Sequence, residues 1–216
     1  MIIPVCVFAK PPVAGTVKTR LAPALNPIES AALASAMLVD IWQVVLSCER
    51  VRPVLAAAAK GNFPIAVPDG SHWLQGDGDL GERIERILRR GLEQAPAAIA
   101  IGADSPLLTP AHLGSAITAL KDSDAVIGPC LDGGFYLLGL RECPPGLLVN
   151  IPWSSRKTAS AVIDRITRRG SRLAQLESLC DVDTPEDLAR LVGSTNGSLA
   201  RETHAFLSRH RARQTR

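Results

Sequence analysis

Short apolar runs rich in β-branched residues alternate along this chain with stretches whose apolar positions recur at helical spacing. Ile2–Ala9 reads as a first buried strand. A helix is predicted from about Pro27 to Leu46, with Asn26 as N-cap, Pro27 in the first turn and Glu29 placed to complete a capping box. Val51–Ala59 and the short Ile65–Val67 read as further strands. From about Leu80 to Gln94, Leu80, Ile84, Ile87, Leu88 and Leu92 share one helical face, and Arg83, Arg86, Arg89 and Arg90 lie largely outside it. Ala97–Gly102 is a buried strand, and Thr109-Pro110 then opens a helix to about Leu120. Ala125–Pro129 and Phe135–Leu140 are two strands separated by Asp132-Gly133-Gly134. A helix near Ser155–Arg169, a short run around Leu173–Leu176, a helix opened by Thr184-Pro185-Glu186-Asp187 and a last helix over about Leu199–Arg209 complete the order. Strands joined through helices imply right-handed crossovers, hence an α/β fold with a three-layer, mostly parallel sheet.

Composition narrows the class. With 216 residues, 46% of them hydrophobic, the chain has ample material for one core, read as a single domain with residues 201–216 a basic helical tail. That tail carries Arg201, Arg209, Arg211, Arg213 and Arg216 against Glu202 alone, so the remainder is nearly neutral. A nucleic-acid role would rest on the tail without an aromatic platform, and a frayed, solvated helix end is the expectation there. The N-terminal apolar run is interrupted by Pro4 and Lys10, too short for a membrane span and without signal-peptide features. Five scattered cysteines without a CxxC pair read as reduced thiols of a cytoplasmic protein. The four histidines show no zinc-ligand spacing.

Candidate chemistry starts where the first strand ends. The loop Lys10-Pro11-Pro12-Val13-Ala14-Gly15-Thr16-Val17-Lys18-Thr19-Arg20 brings Lys10, Lys18 and Arg20 together with backbone N–H groups around Gly15, a combination that suits a nucleotide's phosphates. It is not a Walker A loop, because Val17 precedes Lys18-Thr19 where that motif has glycine. The alternative is a solvated basic loop. Asp104 follows the strand Ala97–Gly102, and Asp183 lies before the Thr184 cap. Two carboxylates facing a cationic loop suit Mg2+ or Mn2+ completed by substrate phosphates, whereas a bland reading makes Asp104 a turn residue. Asp187 is assigned to the helix cap. Gly76-Asp77-Gly78-Asp79-Leu80-Gly81 matches GxGxxG but follows no convincing strand; Asp79 is expected to cap the arginine-rich helix, leaving Gln75 and Gly78 to meet a base or ribose. Asp132-Gly133-Gly134 is either a hairpin turn or, with its aromatic sequel Phe135-Tyr136, part of an acceptor pocket.

The ordered segments KPPVAGTVKTRL, QGDGDLGER, GADSP, GPCLDGGFYLLGL, IPWSS and DVDTPEDL resemble a bacterial branch of the GT-A nucleotide-diphospho-sugar transferase superfamily, the one associated with radical-SAM and selenocysteine-containing proteins. The resemblance spans about residues 2 to 192 and is distantly similar to guanylyltransferases acting on molybdenum cofactor and 2-phospholactate. It implies a GT-A, Rossmann-like transferase domain over residues 1–216, with Lys10, Gly15, Lys18 and Arg20 on nucleotide phosphates and Asp104 and Asp183 on the metal. It further implies a nucleotide or nucleotide-sugar donor and a small-molecule acceptor; Gly133, Gly134, Phe135 and Trp153 are expected around that acceptor, and Asp132 is the candidate base if transfer inverts. Neither nucleic acid nor membrane is expected as a partner. The first loop lacks the GGxGTRL of sugar-nucleotide pyrophosphorylases, so a nucleotide-sugar glycosyltransferase is the leading expectation. Nucleotidyl transfer from an NTP to a phosphorylated acceptor is the alternative, and a non-catalytic nucleotide-binding protein the second.

Overall fold

In the computed structural model, which describes residues 2–194 and 200–214, the apolar runs assemble into one seven-stranded sheet. Its strands are β1 (Ile3–Ala9), β2 (Val51–Ala57), β3 (His72–Leu74), β4 (Ala98–Gly102), β5 (Ala125–Pro129), β6 (Phe135–Leu140) and β7 (Leu173–Gln175). They lie in the order β3-β2-β1-β4-β6-β5-β7. Only β6 opposes the others, because the short Cys130–Gly134 connection returns it antiparallel to β5, and it then pairs antiparallel with β4. From β1 the chain steps outward to β2 and β3, then comes back to place β4 on the other flank of β1. This reversal creates a topological switch beyond the carboxyl ends of β1 and β4, where α/β sheets bind ligands.

Alternation along the central strands builds the three layers. Ile3, Val5, Val7 and Ala9 of β1, with Ile99 and Ile101 of β4, meet α1 (Pro27–Leu46) and α3 (Pro110–Asp122). Ala98 and Ala100 face α2 (Leu80–Leu92) and α4 (Thr158–Arg168). Cys6 joins Val54, Ala56, Trp73 and Ile87 on that second side. By length and mean hydropathy (1.4) α1 matches a membrane span, but 56% of that window is buried inside the fold. It is the core helix, and even Asp40 on it is buried, accepting the backbone N–H groups of Glu202 and Thr203.

Three expectations are corrected. Ile65–Val67 is not a strand, and the segment before Gly76, expected not to form one, is the edge strand His72–Leu74, whose parallel bonds to Leu55–Ala57 bury Trp73. Ala66 lies in the irregular segment before it and accepts the indole N–H of Trp42. The C-terminal helix is not a frayed end over its described part. After α5 (Pro185–Ser194), α6 (Arg201–Gln214) is capped by Asp40 and buries Phe206 and Leu207 against Leu33 and Met37 of α1. The expected start of that helix, Leu199, lies outside the described residues.

Candidate functional site

A cleft of about 540 Å³ opens beyond the carboxyl ends of β1 and β4. Lys10, at the end of β1, lines one wall and is exposed. The next eight residues loop out, with a turn at Gly15 (φ 80°) and Thr16 N–H bonded to Val13 O at 3.1 Å. Lys18 ends the loop in the left-handed region (φ 50°, ψ 34°), just before a single 3-10 turn over Thr19–Leu21. That conformation is uncommon for a side chain of this size and, at the wall of a cleft, is the kind of local strain found at functional positions.

It aims Lys18 inward. Its side chain is 5% exposed, and Nζ lies 2.6 Å from Asp104 Oδ1, 2.8 Å from Asp183 Oδ1 and 2.7 Å from Val182 O. The three N–H donors of the ammonium are thereby all taken. Burial disfavours the charge, but the two carboxylates outweigh it and hold the Lys18 pKa above its ordinary value. Asp104 and Asp183 come to this point on separate segments tied by the backbone bond from Val182 N–H to Asp104 O, 2.9 Å. The Asp104 carboxylate sits on Lys18 and not on its own turn. Asp187 behaves as a cap: its Oδ2 accepts from the backbone of Asp183 and Thr184 and from the Thr184 hydroxyl. Although burial opposes it, these bonds with Arg190 lower the Asp187 pKa. Arg20 is 71% exposed at the rim, with Nη1 3.8 Å from Asp183 Oδ2.

The structure therefore gathers Lys18, Arg20, Asp104 and Asp183, but it sets Lys18 on the carboxylates where a phosphate contact was expected. The cleft is also lined by Asp132, Gly134, Phe135 and Trp153, with Asp132 close to Asp181. Asp132 Oδ1 accepts from Gly134 N–H at 2.8 Å, so the loop is a side-chain-stabilised hairpin turn as well as a wall. Phe135 and Trp153 meet edge to face, centroids 6.2 Å apart. Gln75 lines the cleft, though its amide nitrogen is engaged by Ala56 O at 2.8 Å and is not offered to a ligand. Gly15, Gly78 and Gly133 are not among the lining residues. Gly78 packs against Glu82 and gives its carbonyl to Arg83, while Gly133 packs on the Arg156 backbone and accepts from Ala159 N–H. Asp79 and Glu82 form the predicted capping box.

Tyr136, named with Phe135 as a possible acceptor wall, lines the cleft as well; Asp181, Arg83 and Ser154 also line it and were not assigned to the site from the sequence. The Asp181-Val182-Asp183 alternation was the available signal for Asp181: if Asp183 points to the cleft, its neighbour two positions back shares that side. Burial, and then the charges of Asp132 and Asp183, push Asp181 up to about 6.

Two groupings have donor atoms for a metal ion. Cys130, Asp132 and Asp181 bring three ligand atoms within 4.8 Å of one another. Burial, Asp181 and Asp132 raise the Cys130 thiol pKa, so the thiol stays protonated and is a poor partner for a hard ion. Asp104 and Asp183, 51% and 37% exposed, offer carboxylate oxygens beside the cationic loop and are the better fit to Mg2+ or Mn2+.

Comparison with known proteins agrees with this architecture. The profile of a family described as "Uncharacterized protein conserved in bacteria (DUF2064)" matches residues 32–155. The chain is 33% identical over 195 residues to a phosphoenolpyruvate guanylyltransferase of Rubrobacter xylanophilus, covering 82% of this chain and 88% of that protein. It is 28% identical over 200 residues to a 2-phospho-L-lactate guanylyltransferase of Natrialba magadii, covering 83% and 80%. Among solved structures, a candidate nucleotide-diphospho-sugar transferase from Desulfovibrio desulfuricans G20 superposes with a TM-score of 0.88 at 26% identity, covering 99% of this chain and 98% of that one.

Proposed function

The chain belongs to the bacterial DUF2064 family, and from that premise and the geometry of the cleft we propose that it is a metal-dependent nucleotidyltransferase. It is an enzyme of the transferase class. The expected reading as a glycosyltransferase gives way to its alternative, because two curated relatives that match over most of the chain are guanylyltransferases. In the proposed reaction an oxygen of the acceptor's phosphate attacks the α-phosphorus of an NTP. The new P–O bond forms as the α–β bridge breaks, and pyrophosphate leaves with its electron pair. GTP is the donor we favour, with a small phosphorylated carboxylic acid as acceptor.

The observation that carries this reading is the meeting of a cationic loop and two carboxylates at the switch between β1 and β4. Asp104 and Asp183 would hold the divalent ion, which supplies charge neutralisation and alignment of the triphosphate oxygens. Exposed Arg20 and Lys10 offset the charge that grows on the leaving pyrophosphate, the contribution that usually dominates phosphoryl chemistry. Phe135, Trp153 and Gly134 bound the space left for the acceptor, and Asp132 stands at its edge. Six ordered motifs also support placing the chain in the branch associated with radical-SAM and selenocysteine-containing proteins.

A second reading, transfer from a nucleotide sugar, is favoured by the likeness to the Desulfovibrio structure. One assay separates them. Purified protein with Mg2+ or Mn2+ is given each NTP together with phosphoenolpyruvate or 2-phospho-L-lactate, and pyrophosphate is measured. In parallel, nucleoside diphosphate release from nucleotide sugars is followed. Pyrophosphate formed only with acceptor present is the expected outcome. Nucleoside diphosphate release without any pyrophosphate overturns it.

A further inference from the structure

We propose that Lys18 is the resident counter-ion of the Asp104–Asp183 pair, a positioning residue that suppresses binding of free divalent cations so that the metal enters as its complex with a nucleoside triphosphate. This rests on the nucleotidyltransferase reading above and deepens it.

The ammonium makes three contacts, to Asp104, Asp183 and Val182 O, at 2.6, 2.8 and 2.7 Å, which is its full donor capacity. With 5% of its side chain exposed, it has little water to fall back on, and leaving three charge-assisted or polar contacts is costly. The left-handed backbone at Lys18 fixes the direction of the side chain, and the Val182–Asp104 backbone bond fixes the spacing of the two acidic segments. The carboxylates are thus held in register before any ligand arrives.

Charge then decides what can bind. The two carboxylates that Lys18 touches and its ammonium sum to a single negative charge, and Asp181 with Asp132 adds to the acidic side; a dication placed among them is repelled by Nζ and by Arg20, 3.8 Å from Asp183. A nucleoside triphosphate brings its own negative oxygens, so its metal complex approaches with net negative charge that Lys10 and Arg20 attract. The same ammonium that discourages the bare ion therefore tolerates the complex.

The test compares the wild type, Lys18→Met and Lys18→Arg in metal-free buffer. Binding of Mn2+ alone is measured by electron paramagnetic resonance of the free ion, and binding of Mn2+–GTP by calorimetry. Lys18→Met should bind Mn2+ alone at least tenfold more tightly than wild type, a change of about 1.4 kcal/mol. Lys18→Arg, which keeps the charge, should stay near the wild-type value. Equal affinity for Mn2+ in wild type and Lys18→Met overturns the proposal, as does an arginine variant that gains as much as the methionine one. If Lys18→Met melts without a cooperative transition in chelator, recovery of that transition by Mn2+ supports the proposal and failure to recover overturns it. Wild type that binds neither Mn2+–GTP nor any other metal–nucleotide complex refutes the nucleotidyltransferase reading instead, whatever Lys18→Met does with Mn2+.

Discussion

Replacing Asp104 by asparagine separates what this carboxylate does for the fold from what it does for a ligand. The substitution keeps size and turn-forming ability, and the Val182 N–H to Asp104 O bond is made by the backbone and survives it. What changes is the contact to Lys18 Nζ, 2.6 Å away. An amide oxygen can still accept there, so a charge-assisted bond becomes a neutral one, and such bonds differ by about a factor of two in strength. Asp104 is half exposed, which pulls the loss toward the small values of surface pairs, while the buried ammonium pulls it upward. Asp183 and Val182 O remain to satisfy Lys18. The expected destabilisation is about 1 kcal/mol, which for a chain of this size is roughly 2–4 °C in Tm by calorimetry or circular dichroism. Affinity for Mn2+–GTP, by titration calorimetry on the same protein, should fall at least tenfold, about 1.4 kcal/mol, because a hard dication loses an anionic ligand. A variant with the lower Tm but unchanged Mn2+–GTP affinity would show that Asp104 serves only to balance Lys18.

Other positions give independent checks. Asp181 has its pKa raised to about 6 from an ordinary 3.8, so its carboxylate is penalised in the folded state. That penalty is absent below the unfolded value and grows as pH rises through the folded one, so Asp181→Asn should stabilise the protein at pH 7 to 8 by about 1–3 kcal/mol, with the gain gone near pH 4. Denaturant unfolding at several pH values measures it, and a pH-independent effect would refute it. Gly133→Ala places a Cβ 2.2 Å from Arg156 O at φ 94°; a loss of about 3 kcal/mol is expected in urea unfolding, since neither the backbone angle nor the contact can relax cheaply. Asp40→Ala removes the acceptor for Glu202 and Thr203 N–H. Proteolysis and hydrogen exchange should show α6 loosening first, with a loss of about 1–2 kcal/mol, the range of helix-cap deletions.

What could be read from the sequence and what could not divides along the distance over which each feature is determined. α1 runs from Pro27 to Leu46 as predicted, because Asn26, Pro27 and Glu29 fix its start within a few residues. The Asp79–Glu82 and Thr184–Asp187 caps are equally local. β3 escaped detection because three residues with an exposed-buried-exposed pattern carry almost no periodicity; only pairing with β2 makes them a strand. Gln75 was given a ligand-facing amide, and its engagement by Ala56, nineteen residues earlier, is likewise a tertiary fact. The hardest residue was Lys18. A lysine in a proline- and glycine-containing loop looks solvated, and sequence alone weighs phosphate contact against exposure. Its partner Asp183 lies 165 positions away, and the inward direction comes from a left-handed backbone angle that no local pattern announces. A charge argument would have found it. If Asp104, after β4, and Asp183, before α5, are placed side by side, a counter-charge must stand between them whenever no metal does. Among the cations of the first loop, Lys18 is the one that this site holds almost fully buried. The same requirement that makes the pair a metal site makes Lys18 part of it.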